Sequence, residues 1–132
     1  MTADPNPALS EYRSPWSFDQ TLERLVRAIE SHDMRIFATV DHAANAREVG
    51  LAMPAATVLI YGAARGGTPV MISTPLAALD LPLRVLVRVG QEGDVMIAFH
   101  PIAELLGRVG VPQPMAARLA PAQQTLVAAL AP

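Results

Sequence analysis

Hydrophobic positions along the chain change their spacing several times, and each change marks an element. Phe18, Leu22, Leu25, Val26 and Ile29 recur at helical intervals, with Glu23, Arg24 and Arg27 on the wet side. Ser17-Phe18-Asp19-Gln20 reads as a capping box, with Ser17 as N-cap and Gln20 three residues on. An amphipathic helix of about four turns is therefore predicted, ending near Ser31-His32-Asp33. From Met34 to Val40 the interval drops to two: Met34, Ile36, Ala38 and Val40 point one way, Arg35, Phe37 and Thr39 the other, which predicts a strand. Asp41 to Gly50 predicts a short helix closed by its glycine. Thr57 to Tyr61 is β-branched and apolar, as in a buried strand.

Thr68 suits an N-cap and Pro69 the first helical position, so a brief helix is expected after Gly66-Gly67. Leu83 to Val89 and Asp94 to Phe99 form the clearest hairpin, joined through Gly90-Gln91-Glu92-Gly93. Pro101 to Arg108 predicts a helical turn, and Pro121 opens a last helix through Leu130. A hairpin with segregated helices argues for an α+β fold, with a largely antiparallel sheet covered on one face. The segments between strands are too short and irregular for repeated parallel crossovers. Residues 1–12 are expected as a flexible N-terminus and 13–132 as a single α+β domain.

Composition narrows the function classes. The 132 residues are 52% hydrophobic and 17% charged, which implies either a generous core or apolar surface covered in an oligomer. A net charge of −2 offers no electrostatic reason to expect nucleic acid or an anionic membrane as partner. The chain has no cysteine, which excludes disulfides, thiolate metal sites and cysteine nucleophiles. Its start shows no basic and apolar leader, and no apolar run reaches the ~18 residues that span a bilayer, so a cytoplasmic protein is expected. All ten basic residues are arginine, the mark of a coding bias, so a single arginine carries little functional weight.

The order of short motifs adds a resemblance. Asp41-His42, Gly50-Leu51, Val58 to Gly62, Gly67-Thr68-Pro69 and Leu79 to Arg84 follow one another as in domain-of-unknown-function family 302, across residues 17–110. The resemblance implies a TATA-binding-protein-like fold: a curved, mainly antiparallel sheet of four to five strands with helices packed on one face. It also implies a homodimer, and it implies no activity. Two loops depart from the family pattern, at Tyr61-Gly62-Ala63-Ala64 and Phe99-His100-Pro101.

Candidate sites follow from strand parity. Val58 and Ile60, then Leu83, Val85, Val87 and Val89, then Val95, Ile97 and Phe99 are apolar sets expected to face the core. The opposite face then carries Arg35, Tyr61, Arg84 and His100, a mixed surface for a small ligand or a second subunit. The Gly62–Thr68 loop is the other candidate: Arg65, Gly66, Gly67 and Thr68 at a helix start offer backbone N–H groups and a guanidinium to an anion, although the P-loop spacing is absent. Asp41-His42 is expected to be structural more than an acid–base pair, and Asp80 with Arg84 is expected to form an ion pair. His42 and His100 lack metal-ligand spacing, so no metal and no cofactor are expected. The expected function is a homodimeric module that binds a small ligand or a protein without catalysis. The alternative is an enzyme acting on a small anionic substrate beside the Gly-Gly-Thr loop.

Overall fold

In a computed structural model that describes residues 9–132, five strands form one open antiparallel sheet. They are β1 (Ser10–Ser14), β2 (Arg35–Asp41), β3 (Ala56–Gly62), β4 (Leu83–Val89) and β5 (Val95–Phe99), in the spatial order β1-β5-β4-β3-β2. Six helices accompany them: α1 (Phe18–Ser31), α2 (His42–Glu48), α3 (Ala64–Ser73), α4 (Ile102–Arg108), α5 (Gln113–Ala116) and α6 (Ala120–Ala128). A 3-10 turn at Pro75–Leu79 follows α3. The fold is α+β, as the sequence pattern predicts.

Local signals account for several elements as they stand. Ser17 Oγ accepts from the Gln20 amide at 3.1 Å, and Gln20 Oε1 accepts from the Ser17 amide at 3.2 Å. That reciprocal cap satisfies two amide donors at the start of α1. Asp41 caps α2 by accepting from the Ala44 amide at 2.9 Å. The Asp41 carboxylate is thus committed to backbone, in a structural role. The β4–β5 hairpin turns through Gly93, whose φ of 85° suits glycine.

The core lies between one sheet face and the helices. Leu25 and Ile29 of α1, Val70 of α3, Ile102 and Leu106 of α4 and Leu126 of α6 meet Val85, Val87 and Ile97. The last helix is also tied by polar contacts: Arg24 donates to the carbonyls of Ala129 and Ala131, each at 2.8 Å, and lies 4.1 Å from the Trp16 ring centroid. A guanidinium at the carbonyl end of a helix meets its negative pole.

Four expectations need correcting. First, β1 starts within the stretch expected to be flexible, pairing Ser10–Ser14 with Val95–Phe99 and stacking Tyr12 on Phe99 with ring centroids 6.0 Å apart. Residues 1–8 of that stretch lie outside the described residues. Second, the register pairs Leu59 with Val85 and Ile60 with Arg84, so Thr57, Leu59 and Tyr61 face the core and Val58 and Ile60 face away, the reverse of the expected parity. Third, β2 carries a bulge between Ile36 and Ala38 that turns Ala38 and Val40 away from the side Ile36 occupies. Fourth, Asp80 and Arg84 form no ion pair; the pair that crosses this face is Arg88–Glu11 at 2.9 Å.

Candidate functional site

A cavity of about 420 Å³ opens on the helical side of the sheet, where four segments converge. Gly62 and Ala63 at the end of β3, Ala64, Gly66 and Gly67 at the start of α3, and Leu81-Pro82-Leu83 at the entry to β4 form its walls. Phe37 of β2 and Met34 just before it close the cavity on one side, Met71 closes it from α3, and Leu119 and Ala122 from the C-terminal segment. Its volume lies within the range of small-molecule sites. Thr68 and Arg118 supply the only polar side chains among the lining residues.

Local structure explains the opening. Helix α3 begins at Ala64, one turn before the expected Thr68 cap, and holds Pro69 inside it. The Gly66 and Gly67 amides both donate to the Ala63 carbonyl, at 3.0 and 3.1 Å. Both glycines spend these N–H groups within the helix and do not offer them to an anion. Their contribution is absence of bulk. A Cβ at Gly67 would lie 3.6 Å from Leu81 Cδ1, and one at Gly66 would lie 3.4 Å from Leu119 Cδ2. Every atom beyond Cβ at these positions would take space between the helix and its neighbours.

The residues expected to share one surface are dispersed. Gly66, Gly67 and Thr68 line the large cavity. Arg84 and His100 border a separate hollow of about 270 Å³, with Asp80 and Gln123 beside them. Tyr61 is wholly buried in the core; its hydroxyl has no hydrogen-bond partner, and burial pushes its phenol pKa upward. Arg65 and His42 are exposed and line neither space. Arg35 is exposed too, with its guanidinium 4.6 Å from the ring centroid of Phe37, itself a wall of the large cavity. The single mixed surface proposed from parity therefore does not exist.

Arg118, Met34, Met71 and Leu119 are among the cavity residues that the sequence pattern does not single out. Arg118 sits among ten arginines of a lysine-free chain, and nothing near it marks it out. No group of three or more His, Cys, Asp or Glu suited to a metal ion occurs among the described residues. No described helix is long and apolar enough to cross a membrane.

Known proteins supply the family context. The model of the family described as Domain of unknown function DUF302 matches residues 10–131. A solved structure of the uncharacterized conserved protein DUF302 from Bacillus stearothermophilus superposes with a TM-score of 0.82, covering 94% of this chain and 96% of that one. At 18% identity that likeness establishes the fold alone. Among curated proteins, the chain is 35% identical over 92 residues to Fluoride-specific ion channel FluC 1 of Brucella suis, covering 70% of this chain and 36% of that protein. The Brucella abortus protein of the same name matches at 35% over 92 residues, 34% of its length. The chain thus spans about a third of these relatives. It belongs to the DUF302 family.

Proposed function

We propose that this DUF302 domain is a binding module for a small, largely apolar molecule, held in the cavity between α3, the β4 entry and the C-terminal helices. The observation that carries this reading is an apolar hollow of about 420 Å³ whose floor is opened by two glycines. Two methionines, Met34 and Met71, line it with adaptable side chains that suit a shaped apolar guest. Catalysis is not part of the reading. A general acid, base or nucleophile must reach the guest, and Thr68 contributes the only hydroxyl to the lining. The enzyme alternative therefore draws no support from this cavity.

A neutral fluorescent probe tests it. N-phenyl-1-naphthylamine is expected to bind saturably, with one site per chain. Gly67→Leu adds carbons where a Cβ already stands in ordinary contact with Leu81 and Met71, so its side chain must enter the cavity. Losing that room should weaken the probe by roughly tenfold or more, since one methylene in such a pocket is already worth that much. Helical circular dichroism should be kept, because glycine is the poorer helix former. A probe that does not saturate, or binds both proteins equally, would overturn the proposal.

The homodimer remains a second proposal, supported by Ile72, Leu76 and Leu79, large apolar side chains exposed along α3 and the turn after it. A second copy of this chain is the occupant that would cover them. Light scattering is expected to report twice the 14.0 kDa of one chain at micromolar concentration. A mass of one chain under those conditions removes the dimer. The channel name of the Brucella relatives belongs to proteins about three times as long as the matched segment. In this reading their matched segment is a ligand-binding part attached to the remainder, and fluoride conduction is not carried over to this chain.

A further inference from the structure

We infer that the guest of this cavity is an amphiphilic monocarboxylate, with its chain in the apolar hollow and its carboxylate on Arg118; the inference rests on the binding reading above. Arg118 is the only charged residue in the lining, and no acidic side chain joins it there. It is exposed at the rim and engages in no ion pair or hydrogen bond among the described residues. Arg35 lies outside the lining, with its guanidinium 4.6 Å from the ring centroid of Phe37, one of the walls. The lining thus carries one positive charge in an otherwise apolar wall, which is the complement of a fatty or arylalkyl acid.

The charge of the guest follows from what the site lacks. A phosphate calls for several donors, and the Gly66 and Gly67 amides are committed to the Ala63 carbonyl, which leaves Arg118 as the charged donor of the lining. One planar guanidinium fork fits one carboxylate. The size follows from the volume. At about 30 Å³ for each water-sized group, the cavity holds roughly fourteen such groups, enough for a chain of about eight to ten carbons and its carboxylate.

Displacement of N-phenyl-1-naphthylamine by octanoate, 1-octanol and octylamine tests this on the intact chain. Octanoate is expected to compete best and octylamine worst, with the advantage of octanoate over octanol shrinking as salt rises. Arg118→Gln should weaken octanoate by roughly three- to tenfold and leave octanol unchanged, while Arg118→Lys should keep part of the preference. Equal competition by octanoate and octanol in the wild type overturns the inference while the apolar binding reading stands. So does an octanoate preference that Arg118→Gln leaves intact. If the probe binds neither the wild type nor any variant, the binding reading fails and takes the inference with it.

Discussion

Leu59→Ala is expected to lower the unfolding free energy by about 2–5 kcal/mol, and Ile60→Ala by only about 1 kcal/mol. Leu59 is 2% exposed and sits on the core side of β3, paired with Val85 and packed within the main apolar cluster. Truncating it removes buried carbon and leaves a hole that the α1 side chains Leu25 and Ile29 are too firmly packed to fill. Ile60 is half-buried on the opposite face, paired with Arg84, where solvent can take up the lost volume. Urea unfolding of the two variants compares adjacent residues on one strand, so strand propensity nearly cancels and the difference reports orientation. Equal losses, or a larger loss at Ile60, would mean that β3 presents its other face to the helices.

The second large effect is expected at Gln123, where leucine should cost about 1–3 kcal/mol. Its side chain is 4% exposed and makes two bonds at once: Oε1 accepts from the Ile102 amide at 3.0 Å, and Nε2 donates to the His100 carbonyl at 2.9 Å. Helix α4 begins after Pro101 and has no side-chain cap of its own. Its first amide is one of the donors that every helix start leaves unpaired. Gln123 supplies that partner from α6, a helix distant in sequence. Leucine matches the size but removes both bonds and strips the buried Ile102 amide of this acceptor, at about 1–3 kcal/mol. Gln124→Leu, one residue on and exposed, is the control and should fall within about 0.5 kcal/mol of wild type. Thermal unfolding that moves equally for both variants would show that the Gln123 bonds contribute nothing.

These two residues also show where reading the chain stops. Gln123 looks like any polar residue in an alanine-rich tail, because its partners lie 21 and 23 positions away. In β3 the pattern Thr57-Val58-Leu59-Ile60-Tyr61 is apolar on both parities, and Thr57 and Tyr61 suggest a wet face only because they carry hydroxyls. Both are buried instead. Strand β1 had a visible alternation, Glu11 and Arg13 against Tyr12, but few apolar residues to raise it above a terminal segment. It is held largely by its neighbours, through the β5 ladder and the Glu11–Arg88 pair.

The candidate site was legible in part. Gly66, Gly67 and Thr68 were singled out and do line the cavity, but for a reason other than the expected one. Helix α3 extends one turn backward over them, which converts backbone donors into an empty wall. Arg118 could not be chosen from ten arginines, because its meaning comes from the acids that are absent around it.

What the chain determined unaided were features whose partners lie within a few residues: the Ser17–Gln20 cap, the Asp41 helix start, the Gly90–Gly93 hairpin turn and the α+β order itself. Short-range hydrogen bonds and steric preferences act before any packing does, so they can be read in sequence. Which face of β3 turns inward, where β2 bulges, and which loops enclose an apolar hollow were decided only when the sheet met its helices. Those choices depend on burial shared among distant segments, and no local pattern carries that sum.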